Sequence, residues 1–222
     1  AFGAAMKQPE GYLGWIDLRL KAFGACAFAM LTLILCIGPL ARLDRRFLPL
    51  LYNRRHFGVL MFLTALLHAS FMVEWYVAQG ALANLAAELT TWADYGKFIG
   101  FPFKALGLAA LLVLALMAAT SHDYWNAFLS APVWKALHMG VYAAYGLAVM
   151  HVALGYMQSD RHVLIPIMFG GSFALVASLH ILAGRRENKF DAANPAMRDG
   201  WIVVGAPSSV PDKGALIVTA PG

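Results

Sequence analysis

The sequence predicts an all-α integral membrane protein, a bundle of about five transmembrane helices followed by a short β-type C-terminal tail. Three observations carry this expectation. Apolar residues fill 60% of the 222 positions and charged residues only 13%, about half the charge of a soluble domain. Mean hydropathy is +0.64. The apolar residues gather into runs long enough to cross a bilayer, with the lysines and arginines flanking them. The net charge of +5 therefore reads as membrane topology rather than as affinity for nucleic acid, and no basic stripe interleaved with aromatics occurs.

Residues 1–20 mix apolar and charged types, Lys7, Glu10, Asp17 and Arg19 among them, and are expected to form a surface or interfacial segment. A first span is expected over 22–40, closed by GPLARLDRR, where Pro39 and the arginines stop it. The following loop holds Arg42, Arg45, Arg46, Arg54 and Arg55, which places it on the cytoplasmic side. A second span over 57–77 carries His68, about 18 Å along the helix from His56 and so somewhat past the middle of the membrane. GALANLAAELTTWADYGKFIGFPF is too broken and too charged to span and is expected as a short outer-face helix and loop. The third span, 105–119, holds no ionisable side chain and reads as scaffold. After the aromatic inner loop SHDYWNAFLSAP come a fourth span over 134–157 and a fifth over 163–183, which returns to the cytoplasm at GRRENK with His180 near its inner end.

The domain organisation follows: an N-terminal segment at 1–20, a transmembrane unit at 21–185, and a linker with a β-type tail at 186–222. After Asn188 the stretch KFDAANPAMRDG reads as a polar linker, and 201–204 and 215–219 as short strands. Two strands make no independent domain. They pack on something else or begin a domain that continues.

The fourth span, WKALHMGVYAAYGLAVMHVALGYM, carries the chemistry, because His138 and His151 both lie inside it. An imidazole in hydrocarbon costs a few kcal/mol unless its nitrogens are satisfied. The small neighbours Ala143, Ala144, Gly146, Ala148 and Gly155 would let a flat object approach the backbone, and heme is such an object, with neutral imidazole a common axial ligand. In one ideal helix the two histidines are about 20 Å apart along the axis and point about 140° apart, so they do not share one iron. The bland alternative is that each donates to a backbone carbonyl of a neighbouring helix. If the second and fourth spans run in the same direction, His151 lies at the depth of His68 and the two can face each other across one heme, with His138 near the inner face. Cys26 and Cys36 fall in one predicted helix about 15 Å apart along its axis, too far for a disulfide. The absence of CxxC and CxxCH from the sequence leaves no covalent c-type heme attachment.

The motifs GPLARL, NRRHFGVLMFLTALLH ending at His68, and WKALHMGVYAAYGLAVMH with His138 and His151 resemble the ferric reductase-like transmembrane heme domain over roughly residues 25–185. The nearest branch is that of the heme-binding subunits of bacterial methionine sulfoxide reductase systems. The resemblance implies a multi-pass protein of the bacterial inner membrane with a cytoplasmic C-terminus. It implies b-type heme held by His68, His151 and His138 as iron ligands, with Arg55 beside the cofactor. Two-heme members carry a further histidine at the position of Arg54, and His56 is off that register. One heme is therefore expected, with His138 left as a ligand for a second site shared with His56 or His180. The tail is similar to the opening strands of a Rieske-type domain, which would put a [2Fe-2S] cluster in a continuation beyond residue 222. GxGxxG is absent from the sequence, and whether a flavin or a quinone takes part is left open.

The first functional reading is a heme b electron-transfer subunit. Electrons from the cytoplasm or a quinol enter near His138, pass to the heme at His68 and His151, and leave at the outer face for a redox partner protein. The alternative is an accessory or structural subunit of a larger membrane complex that performs no turnover, with membrane lipids and neighbouring subunits as its partners. A proton relay in a transporter is the weakest reading, since no carboxylate lies beside the histidines inside a span.

Overall fold

The computed structural model describes residues 11–90, 101–159 and 164–193 together with the pairs 197–198 and 201–202. Eight α-helices are present among the described residues: α1 (Gly11–Leu43), α2 (Leu48–Ala78), α3 (Leu82–Thr90), α4 (Phe103–Ala119), α5 (Asp123–Phe128), α6 (Ala131–His138), α7 (Gly140–Ser159) and α8 (Leu164–Ala193). Four stretches are long and apolar enough to cross a membrane, namely Gly11–Leu43, Arg45–Ala78, Ala131–Gly155 and Pro166–Lys189. The shorter apolar helix Phe103–Ala119 stands beside them. The protein is thus a predominantly helical, multi-pass membrane protein.

Helix α1 is the central element. It lies along α2 and against α8, while α4 pairs with α7 and α2 touches α4. Phe28, Leu31, Leu35 and Cys36 of α1 form one cluster with Met61 of α2, Leu114 of α4, Val141, Ala144 and Tyr145 of α7, and Val176 of α8. The opposite faces carry large exposed apolar side chains, including Leu33, Leu60, Leu63, Leu112 and Ile167. In water such faces would aggregate. Against lipid tails they cost nothing, and helix packing has to rest on close fit instead.

Several expected boundaries shift. Residues 11–20 are no separate surface segment but the first turns of α1, with Ile16 fully buried. Pro39 does not stop this helix, which continues to Leu43 with Pro39 inside it and almost wholly buried. Proline removes one backbone hydrogen bond, but packing against neighbouring helices keeps a proline-containing membrane helix intact. The stop comes from Asp44, whose extended backbone leaves the helix and whose carboxylate accepts from the Arg46 N–H at 2.9 Å. His138 and His151 do not share one helix. The chain turns at Met139, where the Tyr142 N–H bonds back three residues to the Met139 carbonyl at 3.1 Å, next to the poor helix former Gly140. The angle drawn from an unbroken helix therefore does not apply. At the far end α8 runs to Ala193, so the first part of the expected linker is helical.

In the tail, Met197–Arg198 pairs antiparallel with Trp201–Ile202. The rest of the expected strand at 201–204, and all of that at 215–219, lie outside the described residues.

Candidate functional site

His68 projects from α2 and His151 from α7, and the fold brings their rings to 6.3 Å between centres with the planes at 80°. Each ring is tethered in the same way. His68 Nδ1 bonds the Leu20 carbonyl of α1 at 2.8 Å, and His151 Nδ1 bonds the Phe103 carbonyl of α4 at 2.8 Å. A carbonyl can only accept, so each Nδ1 carries the proton and each Nε2 presents a lone pair. A second hydrogen bond that fixes tautomer and orientation is the usual support of a metal-ligating histidine.

The spacing suits one metal ion between the rings. A metal–imidazole bond of about 2 Å on each side, with about 1 Å more from each nitrogen to its ring centre, gives about 6 Å between centres. Among the described residues there is no group of three or more His, Cys, Asp or Glu side chains able to hold a metal. The pair would supply two opposed ligands, and a cofactor's own donor atoms would supply the others.

Two glycines complete the cradle. A Cβ added at Gly24 would lie 2.8 Å from Cε1 and Nδ1 of His68, and one at Gly107 would lie 2.7 Å from Cε1 and Nδ1 of His151. These correspondences recur at a fixed offset of 83 residues, relating Leu20 to Phe103, Gly24 to Gly107 and His68 to His151. The buried positions Ala27 and Ala110, Leu31 and Leu114, and Met61 and Ala144 obey the same offset. The site is thus built from two like helix pairs, α1 with α2 and α4 with α7. Sequence reasoning took α4 for scaffold and missed both glycines and both carbonyls. The signal was present in the repeated Lys-Ala-x-Gly of residues 21–24 and 104–107.

Polar ties brace the ends of the helices that carry these residues. Tyr12 Oη and the Arg19 guanidinium both donate to Glu74, at 2.6 and 3.2 Å, joining α1 to α2 one to two turns beyond His68. Glu88 of α3 accepts from Tyr76 Oη at 2.8 Å and pairs with Lys104 of α4.

The other predicted residues fall elsewhere. His138 stacks on Trp134 with 3.9 Å between ring centres, and its Nδ1 bonds the Trp134 carbonyl at 3.0 Å. Its Nε2 is buried and has no hydrogen-bond partner among the described residues. Arg55 pairs with Asp123 of α5 and holds its guanidinium carbon 5.9 Å from the Trp134 ring centre. The hydrogen bond and charge of Arg55 keep the Asp123 carboxyl below its usual pKa. His180 Nδ1 donates to the Val176 carbonyl at 2.9 Å, so its Nε2 accepts from Tyr142 Oη at 3.0 Å. Among the described residues no ring contact joins His56, His138 and His180. At the 83-residue offset the counterpart of His138 is Arg55, which cannot ligate iron as histidine does.

Fold and site together define a polytopic helical membrane protein with two opposed, backbone-tethered imidazoles between its helix pairs. Residues 23–149 match the ferric reductase like transmembrane component family, and the chain belongs to that family. It is 28% identical over 177 residues to the protein-methionine-sulfoxide reductase heme-binding subunit MsrQ of Caulobacter vibrioides, covering 77% of this chain and 75% of that protein. Its counterpart from Bordetella pertussis is 27% identical over 173 residues, covering 78% and 77%. The magnetosome protein MamZ of Magnetospirillum gryphiswaldense is 29% identical over 154 residues, 68% of this chain and 21% of that protein. No solved structure matches the chain. The family match ends at residue 149, and nothing found supports the Rieske-like reading of the tail or a [2Fe-2S] cluster.

Proposed function

We propose that the chain is a membrane-embedded heme b electron-transfer subunit in which His68 and His151 would hold the heme iron. The observation that carries this reading is the pair of rings with centres 6.3 Å apart, each donating through Nδ1 to a helix carbonyl and so keeping an unprotonated Nε2. The naming of the MsrQ relatives as heme-binding subunits supports it. Heme, when bound, supplies one-electron chemistry. The protein's part is to hold both imidazoles in one tautomer, to surround them with low-dielectric helix packing, and to place them between the two faces of the membrane. With both imidazoles committed to the iron, the site would favour electron transfer over chemistry on a small-molecule substrate.

Electrons enter from the arginine-rich inner side and leave near Glu74, Glu88 and Lys104 to a redox partner at the other face. His138, with its unpartnered Nε2, and Arg55 mark the inner level, where His138 is the candidate ligand of a second site. The membrane is the bacterial inner membrane and the C-terminus is cytoplasmic.

The test is an absorption spectrum of the purified protein, oxidised and then reduced with dithionite. Low-spin b-type bands are expected in the wild type, and their loss in His68→Ala and in His151→Ala. A colourless wild-type protein would favour the accessory-subunit reading, and native spectra in both variants would refute the ligand assignment.

A further inference from the structure

The two ring tethers are more alike than metal ligation alone requires. In an α-helix the carbonyl of residue i bonds the N–H of residue i+4. Leu20 and Gly24 are one such pair, and Phe103 and Gly107 are the other. Each imidazole therefore lies against a single helical turn, with its Nδ1 on the carbonyl's second lone pair and its ring edge over the missing side chain four residues on. With any Cβ at the glycine, that atom would sit 2.8 Å or 2.7 Å from the ring, closer than non-bonded atoms approach. The ring could not then keep both its plane and its hydrogen bond. Carbonyl and glycine together fix the plane of each imidazole relative to the neighbouring helix that tethers it, and the packing of the helix pairs turns the two planes 80° apart.

Building on the reading that His68 and His151 hold heme iron, we propose that Gly24 and Gly107, with the Leu20 and Phe103 carbonyls, are positioning residues that set the two axial imidazole planes nearly perpendicular. They thereby fix the electronic character of the iron site. Perpendicular axial planes act on different dπ orbitals of low-spin ferric iron and leave those orbitals nearly equal in energy. Parallel planes act on the same orbital and split them. The first arrangement gives a strongly anisotropic electron paramagnetic resonance signal with one dominant g value, and the second gives a rhombic signal with three well-separated values.

The experiment is electron paramagnetic resonance of the oxidised, full-length protein in detergent, with heme per polypeptide measured in parallel. The wild type is expected to give the strongly anisotropic signal. Gly24→Ala and Gly107→Ala are expected to shift it towards the rhombic form, or to lose low-spin heme while helicity is kept. Gly171→Ala, on α8, which carries neither His68 nor His151, and with nothing within 4 Å of an added Cβ, is expected to leave it unchanged. A rhombic wild-type signal overturns the proposal without recourse to any variant, so variants that fail to fold do not shelter it. Wild-type g values at full heme content in both alanine variants overturn it equally. A wild-type protein that takes up no low-spin heme instead refutes the underlying heme reading, and the heme measurement separates that outcome from the others.

Discussion

His68 and His151 look unremarkable as isolated membrane histidines, and each does what a structural histidine does, donating to a carbonyl of a neighbouring helix. What distinguishes them is that both spend Nδ1 on that bond, which leaves each Nε2 unprotonated, and that their ring centres lie 6.3 Å apart. His138 instead spends its Nδ1 on the Trp134 carbonyl of its own helix and stacks on the Trp134 ring, and Arg55, its counterpart at the 83-residue offset, carries no imidazole. The expected heme content is therefore one per polypeptide, unchanged in His138→Ala, as read by pyridine hemochrome quantitation. A ratio near two that falls to one in this variant would show that the inner level holds a second heme.

Helix α1 places Leu31 and Leu35 one turn apart on its buried face, and Leu112 of α4 lies 63% exposed. In a membrane, lipid is as apolar as leucine, so truncating a buried leucine loses packing but little transfer energy. Leu35→Ala is expected to cost about 2 kcal/mol, the low end of the range for soluble cores. Leu112→Ala is expected to be close to neutral. Thermal denaturation in detergent compares the two, and equal losses would contradict the assignment of inner and lipid faces. The connector formed by α5 and α6 is tied to α2 by the Arg55–Asp123 pair and to the end of α4 by Trp134 Nε1, which donates to the Thr120 carbonyl at 3.0 Å. Because the Asp123 pKa is depressed, the tie is fully formed above the ordinary aspartate value of 3.8 and is lost only as pH falls through the lower folded value. Hydrogen exchange across 123–138 should thus be insensitive to titration of this pair at neutral pH and should rise in Asp123→Asn. Unchanged protection in that variant would show that Trp134 alone holds the connector.

For the molecule as a whole, the arginines of the 41–56 loop argue that this loop, the 120–134 connector and the C-terminal tail face the cytoplasm. The inverted arrangement would require these arginines to be translocated to the outer face, which the positive-inside bias of short loops disfavours. In a Cys26→Ser background, an impermeant thiol reagent added to intact cells should label Gln79→Cys and not Tyr124→Cys. The reverse pattern would invert the topology and with it the direction of the proposed electron path.

Hydrophobic runs of bilayer length, the arginines between them and the depth of two histidines were enough to read an all-helical membrane bundle and to pair His68 with His151, because these features depend on local composition and helical rise alone. The cradle was not legible in the same way. Leu20 and Phe103 contribute only backbone carbonyls, which any residue could supply, and Gly24 and Gly107 act by lacking a side chain. Their partners lie 48 residues away for the carbonyls and 44 for the glycines, on other helices. Only the packing of α1 on α2 and of α4 on α7 decides which carbonyl meets which ring. The unbroken passage through Pro39 and the break at Met139 belong to the same class. In each, the residue type at a weak point of the backbone does not by itself tell whether the helix continues, and no single segment carries that information.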